Sequence, residues 1–155
     1  FPTSDYEKLF AHARAEGIPF TIHAGEAAGP ESIRQAVDYG TARIGHGVNC
    51  IHDKNLMNII AEKGITLELC PTSNLNTKIV NDIKDYPIDK IINNKIKVTI
   101  NTDNMTVSGT DEASEMKLIC DTFGYDGNMR RIFVDNAIDA AFLSNEMKEK
   151  LRGNL

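Results

Sequence analysis

Three short stretches of this sequence gather residue types that do chemistry. His23-Ala24-Gly25-Glu26 sets an imidazole and a carboxylate one glycine turn apart, a pairing suited to a metal ligand beside a proton-transfer group. In Arg43-Ile44-Gly45-His46-Gly47 an imidazole stands between glycines, which let backbone or ligand approach closely and leave the ring unshielded, as a catalytic base or electrophile requires. Asn101-Thr102-Asp103-Asn104 offers a carboxylate for a divalent metal and an amide that can hydrogen-bond a heterocycle. Each stretch has a structural alternative, since a strand-end histidine also caps backbone carbonyls and Asx residues form turns.

The surrounding pattern places all three alike. Apolar spacing over residues 6–15 predicts a helix stopped by Gly17. Residues 18–24 then predict a strand, residues 25–29 a loop, and Pro30 introduces a helix with Ile33, Ala36 and Val37 on one face and Gly40 at its end. The unit recurs from residue 42, with a helix starting near Asp53 and stopped by Gly64. It recurs from residue 65, with a polar loop over 71–77 and a segment over about 87–92. It recurs again from residue 95, with a loop over 104–109 and a helix over about 111–123. Two more helices are predicted over 129–142 and 145–152, the second behind a Ser144 cap, packing on the outside.

Strands alternating with helices imply an α/β fold with a parallel sheet. His23, His46 and Asp103 all fall at C-terminal strand ends, the face on which barrel enzymes build their sites. No Gly-x-Gly-x-x-Gly or phosphate-loop run supports an open nucleotide-binding sheet. Four such units make half of a (β/α)8 TIM barrel.

Composition narrows the partners. At 155 residues, with 41% hydrophobic and 25% charged residues, the chain suits one globular domain or part of one. A net charge of -5 with no Lys/Arg block argues against nucleic acid. Three cysteines with no Cys-x-x-Cys pair fit reduced thiols in the cytoplasm. No run of about 18 apolar residues and no N-terminal signal pattern points to a membrane. A start at Phe1, with helical periodicity almost at once, sets the expectation of a chain cut from something longer.

Taken in order, Thr21-Ile22-His23-Ala24-Gly25-Glu26, Arg43 to Gly47, Glu68-Leu69-Cys70-Pro71-Thr72-Ser73-Asn74 and Ile100 to Asn104 resemble the successive strand-end motifs of the adenosine deaminase family, within the metal-dependent amidohydrolases. The resemblance covers nearly the whole chain and implies that residues 1–155 are the C-terminal half of a catalytic barrel. It implies hydrolytic deamination of adenosine or 2′-deoxyadenosine in purine salvage, with Zn2+ as cofactor. By the same resemblance His23 and Asp103 are metal ligands, Glu26 gives a proton to the purine ring, and His46 orients the attacking water. Asn104 stands where many relatives carry an Asp that contacts N7 of the purine, and an amide can still donate there. The Glu68–Asn74 stretch is expected to be scaffold near the pocket.

The family's remaining two zinc ligands form a His-x-His pair, which this sequence lacks; His12 and His52 lie off the strand ends and are expected at the surface. Two ligands fall short of the three that catalytic zinc usually takes, so the chain alone is expected to be inactive. Half a barrel also leaves two open sheet edges and an interior face expected to be apolar, which invite a homodimer or the missing half. The alternatives are a non-catalytic half-barrel association module, and adenine deaminase or another purine-deaminating amidohydrolase.

Overall fold

In the computed structural model, which describes residues 3–154, four short apolar-alternating runs build one sheet. Strands β1 (Thr21–Ala24), β2 (Arg43–His46), β3 (Thr66–Leu69) and β4 (Val98–Ile100) lie side by side in chain order, all parallel. Register aligns Ile22 with Ile44, Ile44 with Leu67, and Leu67 with Val98. This row is fully or almost fully buried, and burying one Leu or Ile is worth about 1.5–3 kcal/mol. The opposite face carries Thr21 and Arg43 in one row and Glu68 and Thr99 in the next.

Helices follow each strand: α2 (Pro30–Asp38) after β1, α3 (Lys54–Lys63) after β2, α4 (Pro71–Asn76) and α5 (Ile88–Asn93) after β3, α6 (Met105–Ser108) and α7 (Glu112–Phe123) after β4. A first helix, α1 (Glu7–Ala15), precedes the sheet, and α8 (Gly127–Ala140) and α9 (Asn145–Arg152) close the chain. The inward residues of α2, Ile33, Ala36 and Val37, are all buried as the spacing predicts. Starts are set by local chemistry: Asp53, Asp111, Asp126 and Ser144 each accept the backbone N–H three residues on. Helix α8 packs on β4 and α9 on α8, outside the sheet. The result is half of a (β/α)8 barrel.

Three details differ from expectation. The predicted loop over 71–77 contains α4: Pro71 opens it, and the buried Glu115 of α7 accepts the Thr72 N–H at 3.0 Å where no local cap exists. The predicted loop over 104–109 contains α6, capped by Asn104, whose Oδ1 accepts the Val107 N–H at 3.0 Å. The interior face of the sheet, expected to be apolar, is polar: Thr21 donates to Glu68 Oε2 at 2.8 Å, and Arg43 pairs with Glu68 at 3.0 Å while stacking on Phe142.

Candidate active site

The C-terminal ends of the four strands carry the site. Beyond β1, Gly25 takes a left-handed φ of 71°, where a Cβ would meet Ile33 Cδ1 at 2.2 Å, so only glycine permits this turn. The turn folds Glu26 back over His23, with His23 Nε2 3.3 Å from Glu26 Oε2. His46 ends β2, two residues after Ile44, where regular alternation would aim it at the helices. Its φ of 63° breaks the alternation, and its ring meets that of His23 with centroids 4.6 Å apart. A left-handed non-glycine residue costs on the order of 1–3 kcal/mol and persists where its surroundings enforce it.

His23, Glu26 and His46 thus present donor atoms within 4.8 Å of one another, the one metal-capable cluster among the described residues. Asp103 approaches from β4, also left-handed at φ 56°, with Oδ2 4.0 Å from His46 Nε2. The Gly25 turn brings Glu26 against His23, and Asp103 approaches the cluster from the His46 side. His23 and Asp103 remain open to the cavity, their side chains 63% and 45% exposed, whereas His46 is buried. Nitrogen and carboxylate donors at such positions are of the kind zinc takes. His23, His46, Glu68, Asn101 and Asp103 help line a cavity of about 380 Å³, and a second, of about 420 Å³, shares His23 and is lined by Glu26. Asn104 is exposed; its Oδ1 caps α6. His12 and His52 are exposed and away from the site.

Burial, with a smaller lowering by His23, holds the His46 imidazole below its ordinary pKa against the raising pull of the Glu26 and Asp103 carboxylates. The ring is therefore neutral at pH 7. Cys70 lies beside the site, but burial pushes its thiol up to about 12, which removes it as a nucleophile.

Three further residues reach these groups, and a fourth holds one of the three. Ser73 donates to Asp103 Oδ2 at 2.8 Å, Thr77 to Glu26 Oε1 at 3.1 Å, and the Asn74 amide contacts Glu26 Oε1 and His46 Nδ1, both at 3.2 Å. Tyr86 holds that amide from behind at 3.0 Å. Treating residues 68–74 as scaffold missed Ser73 and Asn74, and Thr77 and Tyr86 lie beyond that stretch. The available signal was position: Ser73 and Asn74 follow the third strand, on the rim where barrel folds put function.

Comparison with known proteins agrees with this geometry. Adenosine deaminase from Haemophilus ducreyi is 43% identical over all 155 residues, and that from Clostridium perfringens 41% over 149. The chain spans about 45% of the length of each. Among solved structures, adenine deaminase from Arthrobacter aurescens shares the fold, with TM-score 0.92 at 24% identity over 97% of this chain and 46% of its own. An amidohydrolase from Burkholderia ambifaria, with bound zinc, gives 0.88 at 26% over 98% of this chain and 43% of its own. That neighbour and the His/Glu cluster together point to a metal. With the model of the family described as adenosine deaminase matching residues 1–155, over the same strand ends that converge here, the chain belongs to the adenosine deaminase family.

Proposed function

We propose that this chain supplies the proton-handling part of a zinc-dependent adenosine deaminase, a hydrolase that converts adenosine or 2′-deoxyadenosine and water to inosine or 2′-deoxyinosine and ammonia. The observation that carries the reading is the convergence of His23, Glu26, His46 and Asp103 from three strand ends. His23 and Asp103 would hold zinc together with ligands this sequence does not contain. Bound there, zinc lowers the pKa of a water from 15.7 towards about 7.

The remaining chemistry belongs to the chain's own side chains. Glu26, ordered by Thr77 and Asn74, gives a proton to the purine ring nitrogen, which draws electrons away from C6. His46 is neutral and orients the attacking water on the side facing Asp103. Asn104 spends its oxygen on the α6 cap, leaving its NH2 free to donate to N7 of the base. A nucleoside is favoured over adenine because the relatives at 40–43% identity are adenosine deaminases, whereas the adenine deaminase is only 24% identical. Place in purine salvage and in the cytoplasm belongs to the same proposal; the three cysteines are free and buried, and no helix among the described residues is long and apolar enough to cross a membrane. Two sheet edges, β1 and β4, lack a second neighbour among the described residues, which supports docking of a complementary half-barrel or a second copy. Neither nucleic acid nor a membrane is proposed as a partner.

The test is a chimaera in which this chain replaces the matching segment of the Haemophilus ducreyi relative. Adenosine should be converted to inosine, followed by ultraviolet absorbance, and Glu26→Gln should lower turnover about 10²- to 10⁴-fold. A folded, zinc-loaded chimaera without turnover, or one indifferent to Glu26→Gln, sinks the proposal. The chain alone with zinc should show no turnover.

A further inference from the structure

Glu26 and His46 meet the same amide. Asn74 is wholly buried, so each of its polar atoms needs a partner, and the partners determine which way round the amide lies. Tyr86, itself buried, donates its hydroxyl to Asn74 Oδ1 at 3.0 Å. On the other side, Nδ2 lies 3.2 Å from Glu26 Oε1 and 3.2 Å from His46 Nδ1. A flipped amide would set its oxygen against the Glu26 carboxylate, acceptor against acceptor. The Glu26 side therefore enforces the orientation, and the Tyr86 bond agrees with it.

From this we infer that Asn74 is a positioning residue that fixes the tautomer of His46. An NH2 group only donates, so His46 Nδ1 must accept, and a neutral imidazole then carries its proton on Nε2. That nitrogen faces Asp103 Oδ2 across 4.0 Å. The amide also stands between two groups that would otherwise pair: His46 Nδ1 and Glu26 Oε1 are 3.7 Å apart. Without Asn74 the imidazole proton moves to Nδ1, against Glu26, and is lost from the Asp103 side. Ser73, the preceding residue of α4, donates to Asp103 Oδ2 at 2.8 Å, so one short helix orients groups on both sides of the imidazole. The role rests on the proposed reading of Glu26 and His46 as the groups that handle protons; the tautomer itself does not.

The experiment is nitrogen-15 NMR of the histidine side chains in the 155-residue chain at mildly alkaline pH without added metal, with the His46 signals assigned by their loss in His46→Gln. The wild type should show a protonated Nε2 and an unprotonated Nδ1. Asn74→Asp, which replaces the donor with an acceptor at nearly constant volume, should exchange the two classes, and Asn74→Ala should do so through Glu26. A wild-type proton on Nδ1, or an unchanged Nε2–H in either variant with a native backbone spectrum, overturns the inference. Should both variants fail to fold, the wild-type tautomer decides. Turnover is not read, so an active chimaera with the wrong tautomer overturns only this inference, and an inactive chimaera with the expected one overturns only the proposed function.

Discussion

The two faces of the same four strands are built on opposite principles. Facing the helices, Ile22, Ile44, Leu67 and Val98 form a row in register, each at most 4% exposed. Facing the other way, Thr21, Arg43 and Glu68 satisfy one another, with Thr21 donating to Glu68 at 2.8 Å and Arg43 paired to it at 3.0 Å. A parallel sheet buried equally on both faces reads as a continuous apolar run, whereas these strands alternate. The difference separates tasks: the apolar row holds the sheet together, and the polar row leads up to the rim where His23 and Asp103 open to the cavity.

The sharpest way to break that contrast is to cut one residue on each face at adjacent positions. Leu67→Ala should cost about 2–5 kcal/mol of stability, because it leaves a cavity in a fully buried row. Glu68→Ala should cost less, about 1–3 kcal/mol, since it removes a largely buried charge-assisted contact while Arg43 keeps its place over Phe142. Urea unfolding of the two variants measures both. Equal losses would mean that the polar face also carries the fold.

Acid should act on the rim and not on the body. His46 has its folded pKa lowered below 6.5, chiefly by burial. Its contribution to stability is therefore fully present above about pH 6.5 and is lost as pH falls through the lower folded value, because the unfolded chain then binds the extra proton. The urea midpoint of the wild type should fall over that range, and His46→Gln should flatten the fall. An unchanged slope in the variant would assign the pH dependence to other groups.

Much of this was legible from local pattern. Strand ends and helix starts follow from β-branched runs, from Pro30 and from Asp53, Asp111 and Ser144, all of which act on their immediate neighbours. His23, Glu26, His46 and Asp103 stood out together, because three strand ends presenting His, His and Asp are hard to explain as three independent caps or turns. Helix α4 was not legible: Thr72, Ser73 and Asn74 favour turns by local propensity, and the carboxylate that stabilises the helix comes from Glu115, 43 residues away. The hold of Tyr86 on Asn74 was hidden for the same reason, since it depends on where a loop returns. The polar interior face was present in the alternation of Thr21, Ile22, His23 and Ala24, but barrel interiors are usually filled by branched apolar residues, and that precedent prevailed.

A smaller effect distinguishes strain from ordinary turn chemistry at Asp103. Both Asp103→Gly and Asp103→Ala delete the Ser73 bond, so their difference isolates the left-handed backbone. The glycine variant should be the more stable by about 1 kcal/mol, the reverse of the order expected in a helix or strand. Chemical denaturation of the pair reads this directly, and the usual order would mean that the φ of 56° stores no strain.

The smallest effect concerns the foot of the polar face. Thr21→Val keeps the branched shape that suits a strand and removes only the hydroxyl, which donates to Glu68 Oε2 at 2.8 Å and lies 3.2 Å from the Arg43 carbonyl. Thr21 is exposed, so water replaces both contacts, and the loss should stay under about 1 kcal/mol. Zinc affinity in the chimaera should not change, because Glu68 keeps Arg43 and His23 is ordered by the Gly25 turn beyond the strand. A Thr21→Val chimaera that bound zinc more weakly while unfolding normally would show that the polar row also orients His23, and the site would then extend down the interior face instead of being confined to the rim.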